Sequence, residues 1–377
     1  MKAAVYGAGR KSALLADLIN NNPEQDITAV AHYLVIRDPE NEGVVLSLQT
    51  LYEEIGKGGI DALIIPPLDK KTAEVLEHHR RLGDVSDEIP VLYANPSALR
   101  GLTSIFPLKK IDFSKPWLDL FEYHVCDHCN LNCKGCGHCA NLYRQESLTD
   151  LNVFERDIYR IRELFDGVGA VRLLGGEPLL NPDLHLFIYM TRKVFPEACI
   201  HLVTNGLLLT QMPEKLMDSI RSTGTTIDVT LYPPMFSEKR KLEAYLCENG
   251  LDYYVTETKS FYRRLLSEAS GSEESFTHCP SSANHLVWEG KIACCAAPFA
   301  LRKLKEVYGL QVDGEGGIQI HDEGIDGFEI NRQLRQPMEI CRHCNKDIES
   351  YPWSGSSWRE AVLDDWLYHC ESASGAK

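Results

Sequence analysis

The sequence predicts an α/β protein, and three observations along its 377 residues lead to this prediction. Short apolar segments alternate with amphipathic segments across residues 1–110, as in a parallel sheet whose strands are joined by helices. The same alternation begins again near residue 118. From about residue 275 it gives way to short strands, turns and cysteines. We therefore expect three domains: residues 1–110, residues 111–270, and a small cysteine-rich module with a C-terminal helix at residues 271–377.

Composition and charge narrow the class of protein. Hydrophobic residues make up 44% of the chain and charged residues 25%, which suffices for a globular core. The net charge of -15 argues against non-specific binding to nucleic acid or to an anionic membrane. No apolar run reaches the roughly 18 residues of a membrane span, and the first residues lack a signal-peptide pattern. We expect a cytoplasmic protein with no nucleic-acid or membrane partner.

The first region has the pattern of a Rossmann-like parallel sheet. A tight turn at Gly7-Ala-Gly9 follows the first strand, but Ser12 takes the third position of a dinucleotide fingerprint. We therefore favour a scaffold or dimerisation role over binding of a redox cofactor. The predicted strands are Lys2–Tyr6, Ile27–Val35, Ile60–Ile65 and Val91–Tyr93, and the predicted helices are Ser12–Asn20, Leu46–Ile55 and Thr72–Leu82.

The second region repeats the alternation of strand and helix. The cysteine-rich third region contains a short hairpin that turns at Glu289-Gly290. A helix near residues 356–367 closes the chain. The predicted strands are residues 119–125, 169–174, 199–204, 225–231 and 251–256, and the predicted helices are residues 150–165, 185–195, 210–223 and 236–249.

The thirteen cysteines, none of them in the first 125 residues, predict metal chemistry. A reducing compartment disfavours disulfides, and thiolates suit iron–sulfur clusters. Cys129, Cys133 and Cys136 have the spacing C-x3-C-x2-C, so three thiolates from one loop would hold four irons and leave one iron open. The alternative is zinc, which takes four ligands. Candidates for the fourth zinc ligand lie nearby at Cys126, His128, His138 and Cys139.

Three motifs in order resemble the radical S-adenosylmethionine (SAM) superfamily. A strand leads into Cys-Asn-Leu-Asn-Cys-Lys-Gly-Cys at 129–136, Gly-Gly-Glu-Pro follows at 175–178, and Thr-Asn-Gly follows at 204–206. The resemblance implies a partial (β/α)6 barrel with its site at the carboxyl ends of the strands. It also implies a 4Fe-4S cluster whose open iron binds SAM. Gly135 stands where an aromatic residue often packs on adenine, so we expect His138 to supply that contact.

The same resemblance assigns the SAM contacts. It places Gly175, Gly176 and Glu177 at the methionine amino group, which fits close backbone approach at glycine and pairing of a carboxylate with an ammonium. It places Thr204 and Asn205 near SAM, and Thr230 at the SAM carboxylate or ribose.

A second set of cysteines resembles the twitch module, the shorter relative of the SPASM module, which carries one auxiliary 4Fe-4S cluster. The resemblance implies ligation by Cys279, Cys294, Cys341 and Cys344, with structural zinc as the alternative. Cys294 and Cys295 are adjacent, and on a strand their side chains would point to opposite faces. We therefore expect one of the two to bind the cluster and the other to be a core residue or a reactive thiol.

These expectations combine into a reaction. The first domain resembles Rossmann-like units of bacterial surface-polysaccharide enzymes, through Ser47-Leu48-Gln49-Thr50-Leu51 and through the segment from Ile60 to Pro67.

We expect hydrogen-atom abstraction from a carbinol carbon of a sugar or polyol, phosphorylated or nucleotide-linked. Epimerisation is favoured, with Cys295 and then Cys139 as thiol hydrogen donors, and alcohol dehydrogenation is second. Peptide modification and a zinc-binding adaptor are further alternatives. Expected partners are flavodoxin or ferredoxin, and a second copy bound through the N-terminal domain.

Overall fold

The computed structural model describes residues 1–7, 10–21, 26–33, 45–46, 48–66, 79–94, 108–266, 273–314 and 316–368. Ala8 and Gly9 of the predicted turn, Ser47, Pro67 and most of the predicted helix Thr72–Leu82 lie outside these residues. No helix in the described ranges is long and apolar enough to cross a lipid bilayer. The chain forms two compact units: unit 1 is Met1–Asp119, Arg162–Ala170 and Phe195–Cys199, and unit 2 is Leu120–Ile161, Val171–Val194 and Ile200–Lys377.

Unit 1 contains a six-stranded sheet in the order β3-β2-β1-β4-β5-β6, parallel except for the antiparallel edge strand β6. Ala4 and Leu63 point into one core and Val5 and Ile64 into another, so the central strands are apolar throughout because both faces are buried. The elements are β1 (Lys2–Tyr6), α1 (Arg10–Asn20), β2 (Thr28–Tyr33), β3 (Val45–Leu46), α2 (Leu48–Gly56), β4 (Ala62–Ile65), α3 (His79–Glu88), β5 (Val91–Ala94) and β6 (Leu108–Lys110).

The second sheet has eight strands in the order β11-β10-β9-β8-β7-β13-β14-β15. The strands and helices predicted over residues 119–256 occur within a few residues of their expected bounds, so the α/β class with parallel sheets is confirmed. Closure into a partial barrel stays a prediction. The elements up to the hairpin are β7 (Trp117–Cys126), α4 (Leu151–Leu164), β8 (Gly167–Gly175), α5 (Leu184–Val194), β9 (Cys199–Thr204), α6 (Glu214–Thr223), β10 (Thr226–Leu231), α7 (Lys239–Glu248), β11 (Tyr253–Glu257), β12 (Ser260–Leu266) and α8 (Glu273–Thr277).

The remaining elements begin with the predicted hairpin, which turns at Glu289 and Gly290 with φ of 44° and 80°. Positive φ at both positions is the geometry of a tight hairpin turn. The first hairpin strand also pairs in parallel with β7, so the cysteines after the hairpin come beside the start of the main sheet. The elements are β13 (Leu286–Trp288), β14 (Lys291–Ala293), α9 (Ala297–Tyr308), β15 (Ile318–Gln319), α10 (Gly327–Leu334), β16 (Cys344–Pro352) and β17 (Leu367–Tyr368).

Asp157 on α4 holds this hairpin in place through buried hydrogen bonds. Its carboxylate is fully buried and accepts hydrogen bonds from the Gly290 backbone N–H at 2.8 Å and the Tyr123 hydroxyl at 3.0 Å. His321 Nε2 lies 2.9 Å from the same carboxylate. One buried side chain thus joins the hairpin turn, strand β7 and the segment after β15.

The predicted C-terminal helix near residues 356–367 is wrong. The chain there forms a 3-10 turn at Leu363–Asp365 and then β17, which pairs with β12. Tertiary hydrogen bonds outweigh the local helical pattern: the Ser356 N–H donates to Asn132 O at 2.7 Å, and the Ser356 carbonyl accepts from the Asn141 amide at 3.0 Å. The segment is bound to the loop that carries the first cysteines.

Candidate functional site

The three cysteines of the first motif line one cavity of about 440 Å³ in unit 2. They lie on the loop that follows β7, and the carboxyl ends of the neighbouring strands β8, β9 and β10 supply further walls. Parallel strands end at the same edge of a sheet, which is why motifs far apart in sequence meet here. The predicted site residues that line the cavity are Cys129, Cys133, Cys136, Gly175, Gly176, Thr204, Asn205, Thr230, Cys279, Cys295 and Cys344.

Each of the three sulfurs receives N–H groups. The Leu131 backbone and the Asn205 side-chain amide both lie 3.5 Å from Cys129 Sγ, and the Trp353 indole lies 3.1 Å from Cys133 Sγ. Backbone N–H groups of residues 138–140 serve Cys136. Such donors stabilise thiolate charge and tune an iron–sulfur cluster, so this donor set fits the cluster that the motif implies.

Burial acts in the opposite direction on the free thiols. It raises the pKa of Cys129 to about 12, and it raises the pKa of Cys133 and of Cys136 as well. Binding of iron would therefore release protons from these side chains. In the described part of the chain, no three Cys, His, Asp or Glu side chains lie close enough together to hold a single metal ion.

The paired glycines of the second motif allow the backbone at the end of strand β8 to contact the backbone of the cysteine loop directly. Gly175 has φ of 148°, and a Cβ atom there would lie 1.8 Å from the Cys126 carbonyl oxygen. A Cβ atom on Gly176 would lie 2.0 Å from the His128 carbonyl oxygen. The Gly176 N–H donates to Cys126 O at 2.7 Å, and the Glu177 N–H donates to His128 O at 3.0 Å. Any side chain at either glycine would separate the two motifs.

Glu177 has a role different from the predicted one. Its carboxylate is fully buried, does not line the cavity, and accepts hydrogen bonds from Thr204 Oγ1 at 2.7 Å, Asn205 N at 2.9 Å and Leu179 N at 3.0 Å. Burial raises its pKa to about 7. The prediction that this carboxylate pairs with an ammonium does not fit this geometry. Glu177 instead joins the Gly-Gly-Glu-Pro element to the Thr-Asn-Gly element, and Gly175 and Gly176 form the cavity wall.

The second cysteine set is divided between the cavity and the core. Cys279, Cys295 and Cys344 line the cavity, whereas Cys294 and Cys341 are buried and hydrogen-bonded to each other. That hydrogen bond lowers the pKa of Cys341 to about 7.

The expectation that Cys294 and Cys295 point to opposite faces is wrong. Their sulfurs lie 3.9 Å apart, because β14 ends at Ala293 and the chain bends there. Adjacent residues alternate faces only while the chain stays extended.

Two other cysteines, Cys139 and Cys126, are not part of the cavity lining. Cys139 is fully buried outside the cavity lining, with its thiol 3.7 Å from the Ala300 carbonyl oxygen that accepts from it. Cys126 is also buried, and its sulfur contacts His128. The prediction of Cys139 as a hydrogen donor is therefore corrected. Only Cys295 of the two named donors reaches the cavity.

Sequence reasoning missed two polar features of this site, an ion pair and the contact between the expected residue His138 and His124. Arg172 and Glu122 line the cavity as an ion pair of 2.5 Å, with Asp228 Oδ2 3.4 Å from the same guanidinium. His138 lines the cavity too, and its Nδ1 lies 2.8 Å from Nε2 of the buried His124. Alternating positions on β7 and β8 could have suggested the first group, because Glu122 and Arg172 lie on adjacent strands.

Three basic residues that pair with carboxylates do not line the cavity. Each pairs with its own carboxylate at 2.7–3.3 Å. The pairs are Arg263 with Glu349, Arg302 with Glu289, and Lys303 with Glu306.

Comparison with known proteins agrees with the motifs. Residues 123–239 match the Radical SAM superfamily. The chain is 36% identical over 101 residues to the GTP 3',8-cyclase of Clostridium acetobutylicum, which covers 26% of this chain and 31% of that protein. It is 34% identical over 153 residues to the GTP 3',8-cyclase of Staphylococcus saprophyticus, covering 37% of this chain and 43% of that protein. The chain thus spans less than half the length of these curated relatives.

Among solved structures, the chain is similar to BtrN in complex with AdoMet and 2-DOIA. The TM-score is 0.41 and the sequence identity 19%, over 61% of this chain and 94% of that one. The matched segment 123–239 contains the first cysteine motif, the Gly-Gly-Glu-Pro element and the Thr-Asn-Gly element that meet at the cavity. The match to the Radical SAM superfamily over residues 123–239 therefore includes all three motifs.

Proposed function

We propose that this chain is a radical SAM enzyme that removes a hydrogen atom from a carbinol carbon of a sugar or polyol and inverts that carbon. One observation carries the proposal: the candidate ligands Cys129, Cys133 and Cys136 and the candidate hydrogen donor Cys295 line the same cavity. When bound, the cluster and SAM supply a 5′-deoxyadenosyl radical. An auxiliary 4Fe-4S cluster on the second cysteine set remains part of the proposal.

The residues of the chain then determine the outcome. Removal of hydrogen leaves a carbon radical, and transfer of a hydrogen atom from the Cys295 thiol to its opposite face gives the epimer and a sulfur radical. One electron, from a donor such as flavodoxin or ferredoxin, and one proton restore the thiol. The alternative is dehydrogenation, in which the carbon radical would pass one electron to a one-electron acceptor such as the proposed auxiliary cluster, and its hydroxyl would lose a proton to give a ketone.

The cavity supports a neutral, hydroxylated group better than a phosphate. Arg172 is the cationic residue of the lining, and it already pairs with Glu122 and Asp228. We propose that any phosphate or nucleotide carried by the substrate binds outside the cavity. The relatives described above are named GTP 3',8-cyclases. GTP is not the substrate that we propose for this chain. A place in cell-surface polysaccharide biosynthesis and a dimer through the first domain stay predictions.

The test uses reduced, iron-reconstituted protein with SAM and a panel of polyols and polyol phosphates in deuterated water. We expect a brown protein with about eight irons, formation of 5′-deoxyadenosine, and deuterium in an inverted product. The Cys295→Ala variant should cleave SAM but form no epimer, whereas the matched variant Cys139→Ala should retain turnover. A ketone product would show that the reaction is dehydrogenation and not inversion. Colourless protein that holds zinc would refute the proposal.

A further inference from the structure

A row of three hydrogen-bonded side chains leads from the β7 end to the cavity wall. His124 Nδ1 lies 3.0 Å from Asp127 Oδ1, and His124 Nε2 lies 2.8 Å from His138 Nδ1. The second Asp127 oxygen accepts from the Ser147 hydroxyl at 2.9 Å. The row ends at His138, which lines the cavity. The cysteine motif does not require this arrangement of side chains, although the backbone N–H of His138 also serves the Cys136 sulfur.

The surroundings hold the two imidazole rings in place. The His124 side chain is 3% exposed, and its ring lies edge-on to Phe299 with 4.5 Å between ring centres. The two histidine rings are 4.8 Å apart. With both nitrogens of His124 engaged, neither ring can turn without breaking a hydrogen bond.

The hydrogen bonds also set the tautomers. A carboxylate only accepts, so His124 Nδ1 carries the hydrogen. In the tautomer in which His124 Nε2 carries no hydrogen, this nitrogen accepts a hydrogen bond from His138 Nδ1 at 2.8 Å. This leaves His138 Nε2 without hydrogen, as an acceptor. No described residue forms a hydrogen bond with this atom.

We propose that His138 Nε2 accepts a hydrogen bond from the hydroxyl of the carbinol that reacts, with Asp127 and His124 as positioning residues. The inference rests on the proposed function and names the group that selects the substrate. An acceptor at a fixed point rejects a methyl ether or a deoxy carbon, because neither can donate. Its neighbour in the lining, Arg172, is a donor, so the two side chains distinguish hydroxyl orientations.

The chemistry of the acceptor suits radical formation as well. A hydroxyl that donates to nitrogen gains electron density at oxygen, which favours loss of hydrogen from the same carbon. The oxygen is also held while the carbon becomes planar, so the face open to the Cys295 thiol stays defined. His138 would thus favour the radical over the intact alcohol, which is the requirement for catalysis.

The alternative occupant of this acceptor is the adenine amino group of SAM. A measurement of SAM affinity distinguishes the two cases. If His138 contacts adenine, its substitution changes SAM affinity in the absence of any second substrate. A substrate contact leaves SAM affinity unchanged.

The test compares wild-type holoenzyme with His138→Phe, His138→Gln and Asp127→Asn, using myo-inositol and glucose 6-phosphate as probes. His138→Phe keeps a ring and loses the acceptor, while His138→Gln restores a carbonyl acceptor. We expect unchanged iron content and SAM affinity in all three. His138→Phe should raise KM for the probe about tenfold and increase 5′-deoxyadenosine formed per product, and His138→Gln should recover part of the loss. Asp127→Asn should give an intermediate effect.

Three outcomes would overturn the inference. One is unchanged KM and coupling in His138→Phe. Another is a loss of SAM affinity with no change toward the probe, which would assign His138 to adenine. The third is wild-type enzyme that cleaves SAM but responds to neither probe. Wild-type protein that holds iron but never cleaves SAM would instead refute the proposed function.

Discussion

The two cysteine sets of unit 2 are built in different ways. Cys129, Cys133 and Cys136 lie within eight residues on one loop, and backbone or side-chain N–H groups reach each sulfur. The second set extends from Cys279 to Cys344, and its members are brought together by a hairpin, a bend and the start of β16. Local sequence therefore specifies the first site, whereas the second depends on tertiary packing.

The largest effect separates the two sets directly. Cys133→Ala should reduce SAM cleavage to background, because a lost thiolate removes a cluster ligand. Cys344→Ala should retain SAM cleavage without a second substrate and lose product formation. The measurement is 5′-deoxyadenosine by chromatography beside iron content. Equal loss of SAM cleavage in both variants would mean that the two sets form one site.

The meeting of the first cysteine motif with the glycine pair at one cavity was predictable from the sequence, and the reasons are local. Glycine pairs and short polar motifs at strand ends fix their neighbours by sterics, as Gly175 and Gly176 show. The role of Glu177 was not predictable, because its partners Thr204 and Asn205 lie 27 and 28 residues away. The failed C-terminal helix has the same origin, since its backbone hydrogen bonds go to Asn132 and Asn141.

The second effect tests the hydrogen bonds that join the Gly-Gly-Glu-Pro element to the Thr-Asn-Gly element. Glu177→Ala leaves three donors without an acceptor, so we expect a loss of about 3 kcal/mol or more in the free energy of unfolding. Anaerobic urea denaturation of the holoenzyme measures it. Exposed Glu146 provides the matched control, and Glu146→Ala should change stability by less than about 0.5 kcal/mol.

Glu177 also predicts a dependence of stability on pH. Its pKa is raised from 4.5 to about 7 in the folded protein, so the native state holds the proton more tightly than the unfolded chain. The contribution is full below pH 4.5 and is lost as pH rises to about 7, with a fall of about 3 kcal/mol. Glu177→Gln should remove this slope between those pH values. A slope that persists in Glu177→Gln would assign the titration to another group.

The third effect concerns the packing that brings the second set to the cavity. Asp157→Ala removes the acceptor of the Gly290 N–H at the hairpin turn and of the Tyr123 hydroxyl on β7. We expect about 2–4 kcal/mol of destabilisation and loss of auxiliary iron before SAM-cluster iron. Iron content after partial denaturation measures the order. Arg156→Ala removes only a half-exposed partner of Asp157 and should leave that order unchanged.

The smallest effect probes a single hydrogen bond to sulfur in the first set. Trp353→Phe removes the N–H that lies 3.1 Å from Cys133 Sγ, so the thiolate charge is less stabilised and the reduction potential of the SAM cluster should fall. Trp366 offers the matched control, because its indole donates at 2.8 Å to the Cys136 carbonyl oxygen instead of to a sulfur. Trp366→Phe should cost similar stability without moving the potential. Redox titration followed by electron paramagnetic resonance distinguishes the two variants, and equal potentials would show that the Trp353 contact serves packing alone.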